Sequence, residues 1–215
     1  MSKIAKRAAV VLTVSTAAVA LAGCGINAIP TNEERAKAAW GEVQNQYQRR
    51  ADLVPNLVAT VQGAAAQERT VLTEVVNARA RATGVNINAE DLDDPAKFRQ
   101  FEAAQNELSQ SLGRLLLVVE NYPQLQANQN FLTLQSQLEG TENRIAIARR
   151  DYNEAVRVHN TALRTFPTVI WANTIHGSAE PMQQFQAAAG ADRPPQVDFS
   201  GIGARPGSAP GSAPG

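Results

Sequence analysis

The amino-acid sequence predicts an all-α fold, a long up-and-down antiparallel four-helix bundle. Apolar residues recur every three or four positions through most of residues 31–175, which is the spacing of one helix face. Aromatic residues make up only 5% of the 215 positions, and this scarcity suits an alanine-rich helical bundle better than a β-sandwich. Few prolines and glycines interrupt the patterns, so the predicted helices are long.

The composition excludes several classes of protein. Twenty Lys and Arg balance 20 Asp and Glu, which argues against nucleic acid or a polybasic membrane patch as the main partner. An apolar share of 44% argues against disorder throughout the chain, and 19% charged residues argue against a polytopic membrane protein. The single cysteine, Cys24, rules out an internal disulfide.

The N-terminal segment, residues 1–23, is predicted to be a lipoprotein signal peptide. All three charges among the first 31 residues are basic, and they precede an apolar run from Ala8 to Ala20. The run ends in Leu21-Ala22-Gly23-Cys24, which is similar to the lipobox of bacterial lipoproteins. In such proteins the peptide is cut before the cysteine, whose sulfur carries diacylglycerol. Two or more acyl chains, such as palmitate, then give a durable membrane anchor.

An uncleaved anchor helix is the alternative to lipidation at Cys24. The 22 residues from Ala8 to Ile29 carry no charge and could just span a bilayer, although they are rich in Ala, Thr and Ser rather than Leu and Ile. In either case the basic end stays in the cytoplasm. The remaining chain is predicted to lie on the exported side of a bacterial membrane, in the periplasm or outside the cell.

The first helix is predicted from Asn32 to Leu53, after a membrane-proximal linker of residues 24–30. Thr31 and Glu34 fit a capping box, in which both side chains bond to backbone amides of the first turn. Pro55 is predicted to interrupt the helix, either as a kink or as the start of a new helix.

The second and third helices are predicted on either side of a polar loop. The second runs from Pro55 to about Thr83 and is ended by Gly84. Asp94 and Pro95 are the predicted N-cap and first residue of the third helix. The apolar seam of the third helix has one polar member, Gln105, and otherwise consists of Phe98, Phe101, Leu108, Leu112, Leu115 and Val119.

The fourth helix has the longest apolar seam. Its steps alternate between three and four residues over five heptads, as expected for a long antiparallel bundle partner. The predicted members are Phe131, Leu134, Leu138, Thr141, Ile145, Ala148, Tyr152, Ala155, His159, Ala162 and Phe166. Asn121-Tyr122-Pro123 breaks the chain before this helix, and Phe166-Pro167 stops it.

The predicted bundle covers residues 31–175 and closes with a short segment, containing Ile170 and Trp171, that folds back over its end. Residues 176–199 are predicted to form a C-terminal extension. Residues 200–215 contain Gly-Ser-Ala-Pro twice and have nothing to bury, so they are predicted to be a disordered tail.

Few residues suit catalysis or metal binding, and no catalytic residue, metal site or cofactor is predicted. His159 and His176 lack the Glu-x-x-His step of a di-iron bundle, and His159 lies on a helical seam, as a packed core histidine would. Phosphate-loop and nucleophile-elbow motifs are missing from the sequence. The acidic residues at 90–94 fit a solvated loop better than a calcium loop, because Asp91 and Lys97 occupy the positions that need glycine and glutamate.

Two polar runs, residues 48–58 and 137–146, lie within the helical patterns. If the third and fourth helices form a hairpin about residue 124, Gln105 lies level with Asn143 and Arg144, which suggests a buried polar layer. Such a layer either sets the register of the helices or forms a ligand or partner site. The candidate residues are Arg50, Asp52, Asn56, Gln105, Glu139, Asn143 and Arg144.

The same two runs resemble the LemA family. The resemblance covers about residues 33–199 and rests on Gln48 to Val58, Gln137 to Asn153, Val156, Asn160, Phe166, Pro167 and the closing Pro195-x-Val197-x-Phe199. It implies an up-and-down four-helix bundle, attached at its N-terminus to a bacterial membrane, in a family without an established enzymatic activity. Members are often encoded near membrane metalloproteases or other envelope proteins, which implies an accessory role. Two departures are the lipobox in place of a transmembrane helix and Gly177-Ser178 in place of the usual Gly-Phe.

Three functions remain open at the level of sequence. The first is a non-enzymatic scaffold or adaptor in the cell envelope, with the membrane and an envelope protein as partners and no nucleic acid. The second is a sensory or ligand-binding bundle that uses the polar layer. The third is a hydrolytic enzyme, for which the carboxylates of the same layer are the best candidates.

Overall fold

The computed structural model describes residues 25–186, a part of the chain that is predominantly α-helical and contains no β-strand, so the predicted all-α class is confirmed. The predicted signal peptide, Cys24 and the tail of residues 200–215 lie outside the described residues. The helices are α1 (Ala28–Ala64), α2 (Arg69–Gly84), α3 (Pro95–Val119), α4 (Pro123–Gln126), α5 (Gln129–Ala162) and α6 (Thr168–Thr174), with a 3-10 turn at Ala89–Asp91. None of these helices is long and apolar enough to cross a bilayer.

Helix α1 begins earlier than predicted. Its N-cap is Asn27, which makes no side-chain capping bond, and residues 28–30 of the expected linker are already helical. The capping box at Thr31 is therefore wrong, because Thr31 lies inside the first turn. The Glu34 carboxylate lies 3.8 Å from Lys37 Nζ, one turn along the same helix.

Pro55 lies inside the continuous helix α1, so the predicted start of a new helix at this residue is wrong, whereas the alternative of a kink stays a prediction. A proline inside a helix has no amide hydrogen, so the carbonyl four residues earlier lacks its usual donor. For Pro55 this is the carbonyl of Ala51. Arg79 of α2 donates its Nε hydrogen to that oxygen at 2.7 Å. This bond from a neighbouring helix satisfies the orphaned carbonyl, so α1 continues for another nine residues to Ala64.

The chain leaves α1 at Ala65 and enters α2 at Arg69. The predicted second helix was thus wrong in its first part, whose residues belong to α1. Its predicted end at Gly84 is confirmed. The start of α3 is also confirmed, since the Asp94 carboxylate accepts hydrogen bonds from the amides of Ala96 at 2.8 Å and Lys97 at 3.1 Å.

The buried stripe of α5 follows most of the predicted seam. Phe131, Leu138, Thr141, Ile145, Ala148, Tyr152 and His159 are buried and Leu134 is partly buried, but Val156 takes the place of Ala155. A straight helix has 3.6 residues per turn, so a strict heptad pattern drifts by about 20° per heptad until the next residue faces the core. The last predicted member is wrong, because α5 ends at Ala162 and Phe166 is 80% exposed.

Side-chain contacts set the directions of the long helices. The Trp40 and Tyr152 rings are 5.2 Å apart, and Arg50 contacts Glu142 at 3.0 Å, so α1 and α5 run in opposite directions. Helices α2 and α3 also run in opposite directions. Arg81 bonds to Glu107 on the next helix, and Arg114 lies 3.2 Å from Glu74.

The buried side chains form two clusters at different levels of α1 and α5. The aliphatic cluster includes Val54, Leu57, Val61, Leu72, Val75, Leu108, Leu112, Leu115 and Leu138. The aromatic cluster includes Trp40, Tyr47, Phe98, Phe101, Tyr152 and Phe185, together with Ile87, Leu92 and Met182. Arg50, Gln105 and Thr141 are buried polar residues at the boundary between the two clusters.

Helix α2 is too short to cover both clusters. Its 16 residues span about 24 Å, against about 55 Å for the 37 residues of α1. The buried residues of α2 therefore join the aliphatic cluster alone. Beside the aromatic cluster, the loop residues Ile87 and Leu92 and the C-terminal residues Met182 and Phe185 complete the core instead.

Candidate functional site

Arg50 is the centre of a buried polar layer. Its residue exposure is only 1%, and its guanidinium donates to Ser109 Oγ at 2.7 Å, Glu142 Oε1 at 3.0 Å and Gln105 Oε1 at 2.6 Å. It also donates to the Gln105 carbonyl at 3.2 Å and lies 4.9 Å from the centre of the Tyr47 ring. Three helices, α1, α3 and α5, are thus joined through one side chain.

Gln105 connects this layer to a fourth helix. Its Nε2 group donates to the carbonyl of Ala82 in α2 at 3.1 Å, while its Oε1 atom accepts from Arg50. Thr141 is also fully buried, and its hydroxyl donates to the Gln137 carbonyl of its own helix at 2.8 Å. A charge that is both buried and hydrogen-bonded requires one relative position of the helices that supply its partners, because a displacement would leave it unpaired.

The structure places two of the seven candidate residues in this layer. Arg50 and Gln105 are buried, whereas the other five candidates, Asp52, Asn56, Glu139, Asn143 and Arg144, are exposed. Successive residues of a helix are rotated by about 100°, so a run of polar residues cannot all face the same side. Because Thr141 and Ile145 point inward, Asn143 and Arg144 point away from the core.

Two partners of Arg50, Ser109 and Glu142, were not singled out from the sequence. Glu142 lies in the second polar run, next to Asn143. Because the sequence already predicted that Gln105 lies level with Asn143, a contact between this level and Glu142 could have been inferred. The Glu142 side chain is 44% exposed, so its carboxylate remains partly hydrated. Ser109 carries no such signal, because a single serine in a helix is common.

A cleft of about 150 Å³ lies beside the layer, lined by residues that include Tyr47, Gln105 and Asn86. The amide nitrogens of its glutamines are already bonded within the protein. Gln44 donates to Ile87 O at 2.9 Å, Gln48 donates to Asp52 at 2.7 Å, and Gln105 donates to Ala82. The hypothesis of a ligand site in this layer stays a prediction.

A second candidate region is the strap, defined here as residues 181–185, which packs against α5. Asn160 donates to the Met182 carbonyl and accepts from the Met182 amide, both at 2.9 Å. Asn153 makes the same pair of bonds with Phe185, again at 2.9 Å. Each asparagine amide thus pairs with one backbone unit of the strap as a neighbouring β-strand would.

The spacing of these two asparagines matches the strap. Seven helical residues rise about 10.5 Å, and three residues of extended chain rise about 10 Å. Asn153 and Asn160 are seven residues apart, and Met182 and Phe185 are three apart. The heptad spacing of two asparagines on one helix was the sequence signal for this contact, although it did not identify the partner segment.

The strap also contributes to the aromatic cluster. Phe185 lies 4.9 Å from the Phe98 ring and 5.6 Å from the Tyr152 ring. The Tyr152 hydroxyl donates to the Gln183 carbonyl at 2.9 Å, and the Gln183 amide donates to the Leu92 carbonyl at 2.8 Å. Burial raises the pKa of Tyr152 well above its usual range, so the phenol remains a neutral hydrogen-bond donor.

The two histidines occupy structural positions. His159 is 1% exposed, as predicted for a packed core residue, and its Nε2 atom lies 3.2 Å from the Glu180 carbonyl. The Nε2 atom of His176 lies 2.9 Å from the Ile26 carbonyl. Over residues 25–186, no three His, Cys, Asp or Glu side chains form a group that could hold a metal ion.

We expect replacement of either strap asparagine by alanine to loosen the strap. Asn153→Ala or Asn160→Ala removes two hydrogen bonds and leaves a strap carbonyl and amide unpaired. A cost of at least 1.4 kcal/mol is expected, which is about tenfold in the strap's opening equilibrium. Hydrogen exchange at the Met182 and Phe185 amides should therefore accelerate by about tenfold or more.

Asn143→Ala is the matched control for the strap variants, because Asn143 is an exposed asparagine of the same helix. It should leave exchange at both strap amides unchanged. Equal protection of Met182 and Phe185 in all three variants would show that the asparagines do not hold the strap.

The family model described as the LemA family matches residues 39–199 of the chain. The chain is also similar to Magnetosome protein MamQ of Magnetospirillum gryphiswaldense, at 26% identity over 157 residues, and to Magnetosome protein MamQ 2 of Paramagnetospirillum magneticum, at 27% identity over 157 residues. Each alignment covers 66% of this chain and 58% of the relative, so the chain spans less than two thirds of the length of these relatives.

Proposed function

This chain belongs to the LemA family, and from that premise we propose that it is a membrane-anchored scaffold or adaptor of the bacterial cell envelope that performs no catalytic step. In this proposal α1, α2, α3 and α5 act as an antiparallel four-helix bundle. The strap completes the half of the bundle that α2 does not reach.

The main support for this proposal is that one charged residue of the two polar runs, Arg50, is buried, while most of the other polar residues are exposed. Arg50 contacts Glu142 at 3.0 Å, which brings the two runs to the same level of α1 and α5. The buried Arg50 holds the helices together, while Asp52, Asn56, Glu139, Asn143 and Arg144 remain exposed near that level. A rigid body with an exposed polar surface suits protein recognition, because little conformational entropy is lost when its partner binds.

The proposed anchor is a lipid on Cys24, with an uncleaved N-terminal helix as the alternative, and the helices lie on the exported side of the membrane. The support comes from the basic and apolar leader that ends in Leu21-Ala22-Gly23-Cys24. Because α1 begins at Ala28, only three described residues separate this leader from the helical body. Mass measurement of the mature N-terminus decides between the two anchors, and an intact Met1 would contradict lipidation.

Photo-crosslinking in living cells tests the adaptor role. A photoreactive residue at Asn143 should capture one envelope protein reproducibly, because this position lies on the proposed partner surface. The control is Gln129, an exposed residue of the same helix about 21 Å away along its axis. The same adducts from both positions, or capture of abundant membrane proteins alone, would contradict a specific partner surface.

A further inference from the structure

Large apolar side chains are exposed in α6 and on both sides of it. Eight large hydrophobic residues stand out as exposed within residues 25–186, and three of them lie between positions 166 and 175. Phe166 is 80% exposed, Ile175 is 56% exposed and Ile170 is 47% exposed. Keeping such side chains in water has a cost that a suitable partner would remove.

This apolar patch, Phe166 with Ile170 and Ile175, lies at the end of the molecule where the N-terminal leader joins the helical body. A Cβ atom on Gly25, the first described residue, would lie 3.3 Å from the Trp171 indole nitrogen. The neighbouring Ile26 carbonyl lies 2.9 Å from His176 Nε2. These contacts place α6 and its flanks beside the point at which the proposed membrane anchor is attached.

The charge distribution around the patch also suits a lipid surface. Residues 165–179 contain no Asp, Glu, Lys or Arg, and residues 25–32 contain none either. Arg164 is an exposed cation immediately before this neutral stretch, where it could meet an anionic headgroup. Trp171 is partly buried, and tryptophan is enriched at the boundary between hydrocarbon and headgroups.

We propose that residues 166–175 form a membrane-contact surface, which inserts the apolar patch into the interfacial region of the bilayer that holds the anchor. The proposal rests on the proposed anchoring, because the anchor brings this end of the molecule to the lipid. A lipid anchor alone holds the helical body at one point, beside the start of α1, and does not fix its orientation on the membrane. A second contact through α6 restrains that orientation and fixes which face of α1 and α5 is turned toward envelope partners.

Tryptophan fluorescence of the full chain in lipid vesicles tests this contact. The chain has two tryptophans, Trp40 with 1% exposure in the aromatic cluster and Trp171 beside the patch. Bromine atoms on lipid acyl chains quench tryptophans that enter the bilayer. In vesicles of phosphatidylcholine and phosphatidylglycerol with brominated chains, the natural protein should lose part of its emission, and Trp171→Phe should abolish that loss.

Surface variants separate the contact from the anchor. The combined substitution Phe166→Ser, Ile170→Ser and Ile175→Ser should abolish quenching, since the patch would no longer favour insertion. Leu117→Ser is the control, because Leu117 is 63% exposed near the opposite end of the helical body. Flotation of the vesicles reports the anchor independently and should be retained by every variant.

Each outcome bears on the two proposals differently. Protein that floats with the vesicles but shows equal emission with brominated and ordinary lipids overturns the contact and leaves the anchor standing. Protein that does not float overturns both. Crosslinks between copies through position 166 in vesicles, without quenching of Trp171, would assign the patch to self-association and also overturn the membrane contact.

Discussion

Replacing Trp40 by alanine is expected to lower the free energy of unfolding by about 3–5 kcal/mol, because it removes the central ring of the aromatic cluster. Trp40 is 1% exposed, and its ring lies within 5.2–6.0 Å of the rings of Phe98, Phe101, Tyr152 and Phe185. These neighbours come from α3, α5 and the strap. The cavity left by the indole would therefore weaken three contacts of α1 at once.

The lost volume, rather than the lost hydrogen bond, should dominate this effect. Trp40 Nε1 donates to the Ile87 carbonyl at 3.1 Å, but Gln44 donates to the same oxygen at 2.9 Å. That carbonyl would remain paired without the indole, so most of the cost arises from packing. Trp40→Phe keeps an aromatic ring in place and is expected to lose less than half as much stability as Trp40→Ala.

Urea unfolding followed by far-ultraviolet circular dichroism measures both Trp40 variants. The midpoint should fall in the order natural protein, Trp40→Phe and Trp40→Ala, with similar denaturant slopes. An alanine variant within about 0.5 kcal/mol of the natural protein, which is the range of surface substitutions, would show that this cluster does not hold the helices together.

Arg50→Met is expected to lower the free energy of unfolding by about 2–4 kcal/mol. Methionine keeps an unbranched apolar stem but lacks the guanidinium, so the Oε1 atom of Gln105 loses the Arg50 donor, in a residue that is 6% exposed. Loss of one partner of a fully buried ion pair costs about 3–5 kcal/mol. The expected value is lower here because Glu142 is partly exposed and can regain water.

Two further variants test this account of the buried layer. Arg49→Met is the matched control, because Arg49 is the exposed neighbour of Arg50 and should change stability by less than about 0.5 kcal/mol. Gln105→Leu in the Arg50→Met background should restore part of the loss, since it removes the unpaired oxygen. If the double variant were less stable than Arg50→Met alone, the unpaired Gln105 oxygen could not be the main source of the lost stability.

Local patterns predicted several features of the described chain correctly. The seams of α3 and of most of α5 are buried because residues three and four apart share one side of a helix. Asp94 caps α3, and Gly84 ends α2. The polar runs also indicated a buried layer containing Arg50 and Gln105. These features depend on residues within a few turns of one another.

The errors involve partners that are distant in sequence. One prediction was that a new helix starts at Pro55, but α1 continues through this residue, and Arg79 of α2 donates to the Ala51 carbonyl that the proline leaves without an amide donor. The strap was predicted only as part of a C-terminal extension, although Met182 and Phe185 belong to the core. The inward and outward members of the polar runs depend on how each helix is rotated against its neighbours, and periodicity alone does not determine that rotation.

The sequence by itself determined that this chain is helical, where its longest helices bury their apolar faces, and which family it resembles. Those properties follow from short-range spacing and local motifs. The tertiary structure decided that α1 passes through Pro55, that Arg50 joins α1, α3 and α5, and that the strap fills the space beyond the short α2. The physical reason is that unpaired carbonyls, buried charges and uncovered apolar surface can be satisfied by any element that reaches them, and only the packed fold shows which element does.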